Sequence, residues 1–299
     1  MSAAAPDGAA VAGLDACAMT VAYDGTDVVH EADLRLPRGR VTALIGPNGS
    51  GKSTLLRSIA RLHKARTGTV TVPADDGSRS GGDGDGDGRG EDRDGRLDAL
   101  ALSRTDFARR ITLLAQSRST PAGLSVRDVV GFGRHPYRHR FRGTDPDGPR
   151  LIEHALAVTD VTELADRGVE SLSGGQLQRV WLACCLAQDT DVLLLDEPTT
   201  YLDLRYQVEI LDLVRDLADT HGVTIGVVLH DLDQAAAVAD RVVLLSAGRV
   251  VAAGTPAEVY DAARLTETYG IRIEVETDTS TGIPRTRAVG RHHLRTERS

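Results

Sequence analysis

Short, predominantly apolar runs bounded by turn residues recur along the chain, at Val41–Ile45 and over residues 192–195, 223–229 and 242–245. Between them the apolar positions switch to helical spacing, over residues 208–218 and 232–239. Continuous apolar strands must be covered on both faces, so their alternation with helices predicts an α/β sheet flanked on each side. Two segments break the rhythm. Residues 75–95 are almost wholly Gly, Asp, Arg and Ser, and from 279 to 299 the chain turns polar and basic, with Arg285, Arg287, Arg291 and Arg295. Both carry too little apolar surface to offset the entropy of ordering. The first is expected to be a disordered insertion and the second a flexible basic tail. With a loose tail over residues 1–12, this leaves one domain at 13–278.

Composition narrows the class. A chain of 299 residues with 41% hydrophobic and 26% charged residues can bury a full core. Its net charge of −8 argues against a general nucleic-acid binder, which needs a basic face for phosphates. Three cysteines in no CxxC pair exclude a disulfide framework and the common zinc sites. The start lacks a basic n-region and carries Asp7 and Asp15, unlike a secretory signal. No apolar run approaches the roughly 20 residues of a membrane helix. Work at a membrane would therefore need a separate membrane partner.

The strand Val41–Ile45 runs into Gly46-Pro47-Asn48-Gly49-Ser50-Gly51-Lys52-Ser53-Thr54, which opens a helix. That is the strand–loop–helix context of a phosphate-binding P-loop. The glycines let successive backbone amides turn toward a phosphate, and the helix N-terminus adds about half a positive charge. Lys52 would neutralise the β- and γ-phosphates and the Ser53 hydroxyl would ligate Mg²⁺. Lys52 and Lys64 are the only lysines in a chain otherwise supplied with arginine, which sharpens the point. Residues 192–195 end in Asp196-Glu197, two carboxylates at the carboxyl end of a buried strand. Asp196 is the candidate for the metal shell, and Glu197 for orienting and deprotonating an attacking water. Taken alone, that pair is an ordinary strand end; beside a P-loop it indicates a nucleoside triphosphatase.

Leu172-Ser173-Gly174-Gly175-Gln176 selects among such enzymes, because neither lysine lies in the Asn-Lys-x-Asp context of a guanine reader. In isolation Ser173 would simply cap the next helix. Placed between the P-loop and the Asp-Glu strand, the LSGGQ run resembles the ABC-type ATPases. The resemblance spans about residues 13–275 apart from the insertion. It implies a P-loop NTPase cassette: a RecA-like core sheet, an N-terminal antiparallel β part and a helical subdomain over roughly residues 117–185. It also matches Tyr23 to the aromatic that stacks on adenine, a contact typically worth about 1–3 kcal/mol per base. Gln116 matches the glutamine reaching toward Mg²⁺ and water, Asp203 the loop coupling two sites, and His230 the histidine that contacts the γ-phosphate. The resemblance implies ATP and Mg²⁺ as cofactors. It further implies a head-to-tail dimer in which Ser173, Gly174, Gly175 and Gln176 of one copy close over ATP on the other.

More specific likeness lies in Gly133-Arg134-His135-Pro136-Tyr137-Arg138-His139-Arg140-Phe141 and in Pro198-Thr199-Thr200-Tyr201-Leu202-Asp203-Leu204-Arg205-Tyr206. Both are similar to the ATPases of ferric-siderophore, haem and cobalamin importers. The resemblance implies an ATP-hydrolysing importer subunit for an iron chelate, peripheral on the cytoplasmic face of the membrane. Its partners would be integral permease subunits and, indirectly, an extracytoplasmic substrate-binding protein; no nucleic acid is expected. A permease groove is expected around residues 122–141. Haem or cobalamin uptake, or a soluble iron–sulfur assembly ATPase, are the alternatives, and the full catalytic set argues against an inactive scaffold. On physics alone, residues 133–141 read as a solvated basic turn over Tyr137 and Phe141. The series Asp83, Asp85, Asp87 and Asp94 imitates a calcium loop, but the last ligand should be Glu and no amphipathic helices flank it. Cys184 and Cys185 read as buried small hydrophobes, and His292 and His293 have no assigned role.

Overall fold

Each central strand alternates its side chains between two separate cores, which is why its sequence is apolar throughout. The computed structural model describes residues 12–74, 95–116, 121–138 and 145–290. In chain order it opens with strands β1 (Ala12–Tyr23), β2 (Thr26–Pro37) and β3 (Val41–Ile45), helix α1 (Lys52–Ile59), and strands β4 (Ala65–Pro73) and β5 (Arg96–Asp98). Helix α2 (Arg104–Ala108) and β6 (Ile111–Leu114) follow, then α3 (Val126–Gly131), α4 (Gly148–Val158) and α5 (Gly174–Ala187). The chain returns to the sheet as β7 (Val192–Asp196), α6 (Leu204–Asp219), β8 (Thr224–Val228), α7 (Leu232–Val238), β9 (Arg241–Ser246) and β10 (Arg249–Gly254). It ends in α8 (Pro256–Val259), α9 (Ala262–Tyr269) and a hairpin of β11 (Ile273–Thr277) and β12 (Pro284–Ala288).

Six strands form the central sheet in the order β10-β9-β3-β8-β7-β6. Only the β9–β10 pair is antiparallel; β9, β3, β8, β7 and β6 run parallel. Ala43, Ile45, Leu193, Leu195, Val242 and Leu244 face a core shared with α3 to α7. Leu44, Leu194, Val243 and Leu245 face the opposite core, built with β1, β2, β4 and α1. The second, antiparallel sheet has the order β2-β1-β4-β5. Its β1–β2 hairpin closes through Asp24 and Gly25, both with positive φ, the backbone that a two-residue turn between twisted strands requires. Because β3, β8, β7 and β6 are parallel neighbours, the loops after them open at one end of the sheet, where α/β ligand sites lie.

Two expectations need correction. The chain does not become a loose tail at 279: β12 pairs antiparallel with β11 from Ile273↔Ala288 to Thr277↔Pro284. Asp278 caps the turn by accepting from the amides of Ser280 and Thr281. Asp233 on α7 accepts from the Thr286 amide at 2.7 Å, and Arg287 and Arg285 pair across the ladder with Glu274 and Asp278. A main-chain ladder and cross-strand charges hold this hairpin, so its low apolar content was a poor guide. The turn after α3 is solvated only in part: His135 and Arg138 are exposed, but Arg134 is not. Residues 132–137 form a 3-10 turn and Arg134 is 3% exposed, its guanidinium bonded to both oxygens of Asp145 and stacked on Tyr137. Phe141 and the series Asp83, Asp85, Asp87 and Asp94 lie outside the described residues, as do residues 1–11, the insertion before Gly95, His292 and His293.

Candidate functional site

The loop after β3 is shaped by glycine at the point of closest approach. Gly46 has φ +142°, and a Cβ there would fall 2.1 Å from the Leu245 carbonyl oxygen of β9, so no side chain fits. Gly51 is the left-handed N-cap of α1 and supplies no side-chain cap, and the first turn holds no acidic residue. The amides that open this helix are therefore left for an anion. Lys52 folds back over the loop and donates to the carbonyls of Gly46 at 2.8 Å and Pro47 at 3.0 Å. Burial lowers its pKa, and the nearby carboxylates of Glu197 and Asp196 oppose that shift. Ser50 is buried with no partner for its hydroxyl oxygen.

Two strands away, β7 delivers Asp196 at its last position, with a fully buried side chain. Arg57, on α1 one turn beyond Ser53, donates from Nε at 2.8 Å and Nη2 at 2.7 Å, both to Oδ2. Oδ1 stays buried and unpartnered. Glu197 takes a left-handed backbone (φ +54°), turning its carboxylate toward the loops after β6 and β8. Gln116 Nε2 donates to Glu197 Oε2 at 2.6 Å, and His230 Nε2 lies 2.6 Å from Oε1. Thr200 donates to Oε2 at 3.2 Å. Four sequence-predicted residues thus converge with Lys52 at the mouth of the sheet: Asp196, Glu197, Gln116 and His230.

The donor set suits Mg²⁺. It offers only hard oxygens: the free Oδ1 of Asp196, the Ser53 hydroxyl and the Gln116 carbonyl, whose amide nitrogen is already committed. Among the described residues no cluster of three or more His, Cys, Asp or Glu is placed to hold a metal.

Other predicted residues stand apart. Tyr23 is at the tip of the β1–β2 hairpin, 45% exposed. Ser173 caps α5 reciprocally with Gln176: its oxygen accepts from the Gln176 amide at 3.3 Å, leaving its own O–H free to donate outward. Asp203 caps α6 through the Tyr206 amide. Arg57 and Thr200 were not singled out from the sequence. The signal for Arg57 was present, since residue i+4 from Ser53 lies on the same helix face. Thr200 carried no such signal, because its reach depends on the turn at Glu197. Cys184 and Cys185 are buried, as read from the sequence.

The ABC transporter family model matches residues 29–200. The petrobactin import ATP-binding protein of Bacillus anthracis is 38% identical over 266 residues, covering 89% of each chain. The ferric enterobactin transport ATP-binding protein of Escherichia coli is 36% identical, covering 91% of this chain and 93% of its own. An inward-facing metal-chelate type ABC transporter superposes with a TM-score of 0.76 over 95% of this chain and 99% of its own, at 24% identity, which speaks to the fold.

Proposed function

The chain belongs to the ABC transporter family, and on that premise we propose that it energises import of an iron chelate of the siderophore type through a separate membrane permease. It is an ATP-hydrolysing subunit, and among its described residues no helix is long and apolar enough to cross a membrane. The observation that carries the chemistry is the meeting of Lys52 with Asp196 and Glu197 beside an uncapped helix N-terminus. The loop amides and Lys52 bind the triphosphate and balance its charge. Glu197 orients the attacking water and takes its proton. His230 and Gln116 hold the two Glu197 oxygens apart and aim them, and His230 then reaches the γ-phosphate. Ser53, Asp196 and Gln116 would hold magnesium, which would neutralise the charge that develops on the phosphates.

Closure over ATP requires a second copy. Ser173, with its unused O–H, and the α5 amides would donate to the γ-phosphate across that interface, and phosphate release would let the pair part. The permease would dock on the surface around residues 122–141, on the cytoplasmic side, fed from outside by a substrate-binding protein. The cargo class rests on the two iron-chelate relatives, each matched along nearly its whole length. A strain lacking this gene is expected to lose growth on ferric siderophore as sole iron source. The wild-type gene restores it and the Glu197→Gln allele does not. Full growth of the deletion strain on every siderophore, with failure on haem or cobalamin instead, would overturn the cargo assignment.

A further inference from the structure

We propose that His63 is a positioning residue for the nucleotide base: it holds the Tyr23 ring edge-on, so that adenine meets a preformed aromatic wall. The inference rests on the reading of Tyr23 as the adenine-stacking residue. Tyr23 ends β1 at a two-residue turn and is half exposed, a place where a phenol ring would ordinarily rotate freely. Here it does not stand alone. Its hydroxyl and His63 Nε2 are 2.7 Å apart and share a hydrogen bond. The two rings also pack edge to face, centroids 4.9 Å apart at 68°. That is the arrangement aromatic quadrupoles favour. Either imidazole tautomer serves, since the phenol both donates and accepts.

His63 is a suitable anchor because its backbone is tied to α1. The amides of Leu62 and His63 both donate to the Arg57 carbonyl, at 2.8 and 3.3 Å, and the Ser58 hydroxyl donates to the His63 carbonyl at 3.2 Å. The same helix begins at Lys52 and runs for eight residues, about 12 Å, ending shortly before His63. One rigid element therefore holds the phosphate cradle at its first turn and the base wall just past its last. The hairpin tip is held from another side, with Arg66 donating to the Gly25 carbonyl at 3.3 Å and pairing with Asp27 at 2.9 Å. Arg66 fixes the backbone of the turn, and His63 fixes the ring. A ring already held by a partner before the base docks loses less freedom when it does.

The test is calorimetric titration of the purified full chain with ADP and, separately, with inorganic tripolyphosphate, which has no base. His63→Ala is expected to weaken ADP binding about three- to tenfold and to leave tripolyphosphate binding within about twofold. In steady state KM for ATP should rise by the same factor with kcat unchanged. His63→Gln, which keeps a polar atom at similar reach, should recover most of the affinity. If Tyr23→Ala weakens ADP binding and His63→Ala does not, the positioning role is wrong while the stacking reading stands. Equal loss of tripolyphosphate binding in His63→Ala would show a disturbed α1 and also overturn it. If Tyr23→Ala leaves ADP affinity intact, the stacking reading fails and takes this inference with it.

Discussion

Gly175 is small because a ring lies on it. A Cβ there would come within 2.3 Å of Tyr206 Cδ1 and 2.5 Å of Cγ, near the root of the side chain rather than at a yielding tip. Tyr206 belongs to the first turn of α6, which Asp203 caps, so the starts of α5 and α6 approach through this one residue. Gly175→Ala is therefore expected to destabilise the fold by about 1–3 kcal/mol in urea titrations, the usual cost of overpacking. In a double-mutant cycle with Tyr206→Ala the double variant should cost less than the sum of the two single changes. Simple additivity would mean that the ring is not the obstacle. The sequence made Gly175 visible as chemistry, through LSGGQ, but hid its packing, because Tyr206 arrives from a distant helix. For Arg57 the spacing to Ser53 gives the helix face, but its bond to Asp196 depends on how α1 crosses the end of β7. Lys52, Asp196 and Glu197 were legible because strand, loop and helix follow one another in the chain.

At the scale of elements, one buried guanidinium ties three pieces of the helical layer together. Arg134, in the turn after α3, donates through Nε and Nη2 to Asp145 just ahead of α4, and through Nη1 to the Ala187 carbonyl at the end of α5. Hydrogen bonds from Arg134 hold the Asp145 carboxyl below the usual carboxylate range. A depressed folded pKa adds stability that is present above the unfolded value and is lost as pH falls through the folded one. Asp145→Asn leaves Arg134 buried without its counter-charge, so at pH 7 it should cost about 3–5 kcal/mol. The gap between wild type and variant should narrow as pH drops below about 4. Denaturant melts at several pH values measure this, and a gap constant with pH would sink the account. Charge in the sequence had suggested a solvated turn here, for burial of an arginine depends on partners that no local pattern announces. The β11–β12 hairpin escaped notice for a similar reason. The strands β3, β7 and β9 were easy, since two-sided burial writes an unbroken apolar run.

For the whole molecule, three of the exposed apolar residues fall together. Tyr201 is 95% exposed, Leu204 74% and Val208 49%, a stripe running from the loop after Glu197 along the first turns of α6. It lies beside Asp203 and close to the LSGGQ helix, where Leu202 approaches Gly174. Solvated apolar residues in one contiguous stripe next to a catalytic mouth mark a surface that another body covers. A second copy, docked head to tail, would bring its own LSGGQ run to the mouth and cover this stripe at once. Glu197→Gln keeps the size and polarity of the side chain but removes the base, so ATP should stay bound and the closed pair should persist. Light scattering after size exclusion with millimolar ATP and magnesium should show that variant at twice the monomer mass. Adding Tyr201→Glu places a charge in the stripe, away from Lys52 and the P-loop amides, and should return the protein to monomer without loss of ATP binding. A Glu197→Gln protein that stayed monomeric with ATP bound would contradict the head-to-tail pairing. A dimer undisturbed by Tyr201→Glu would place the contact elsewhere and leave the stripe to the permease.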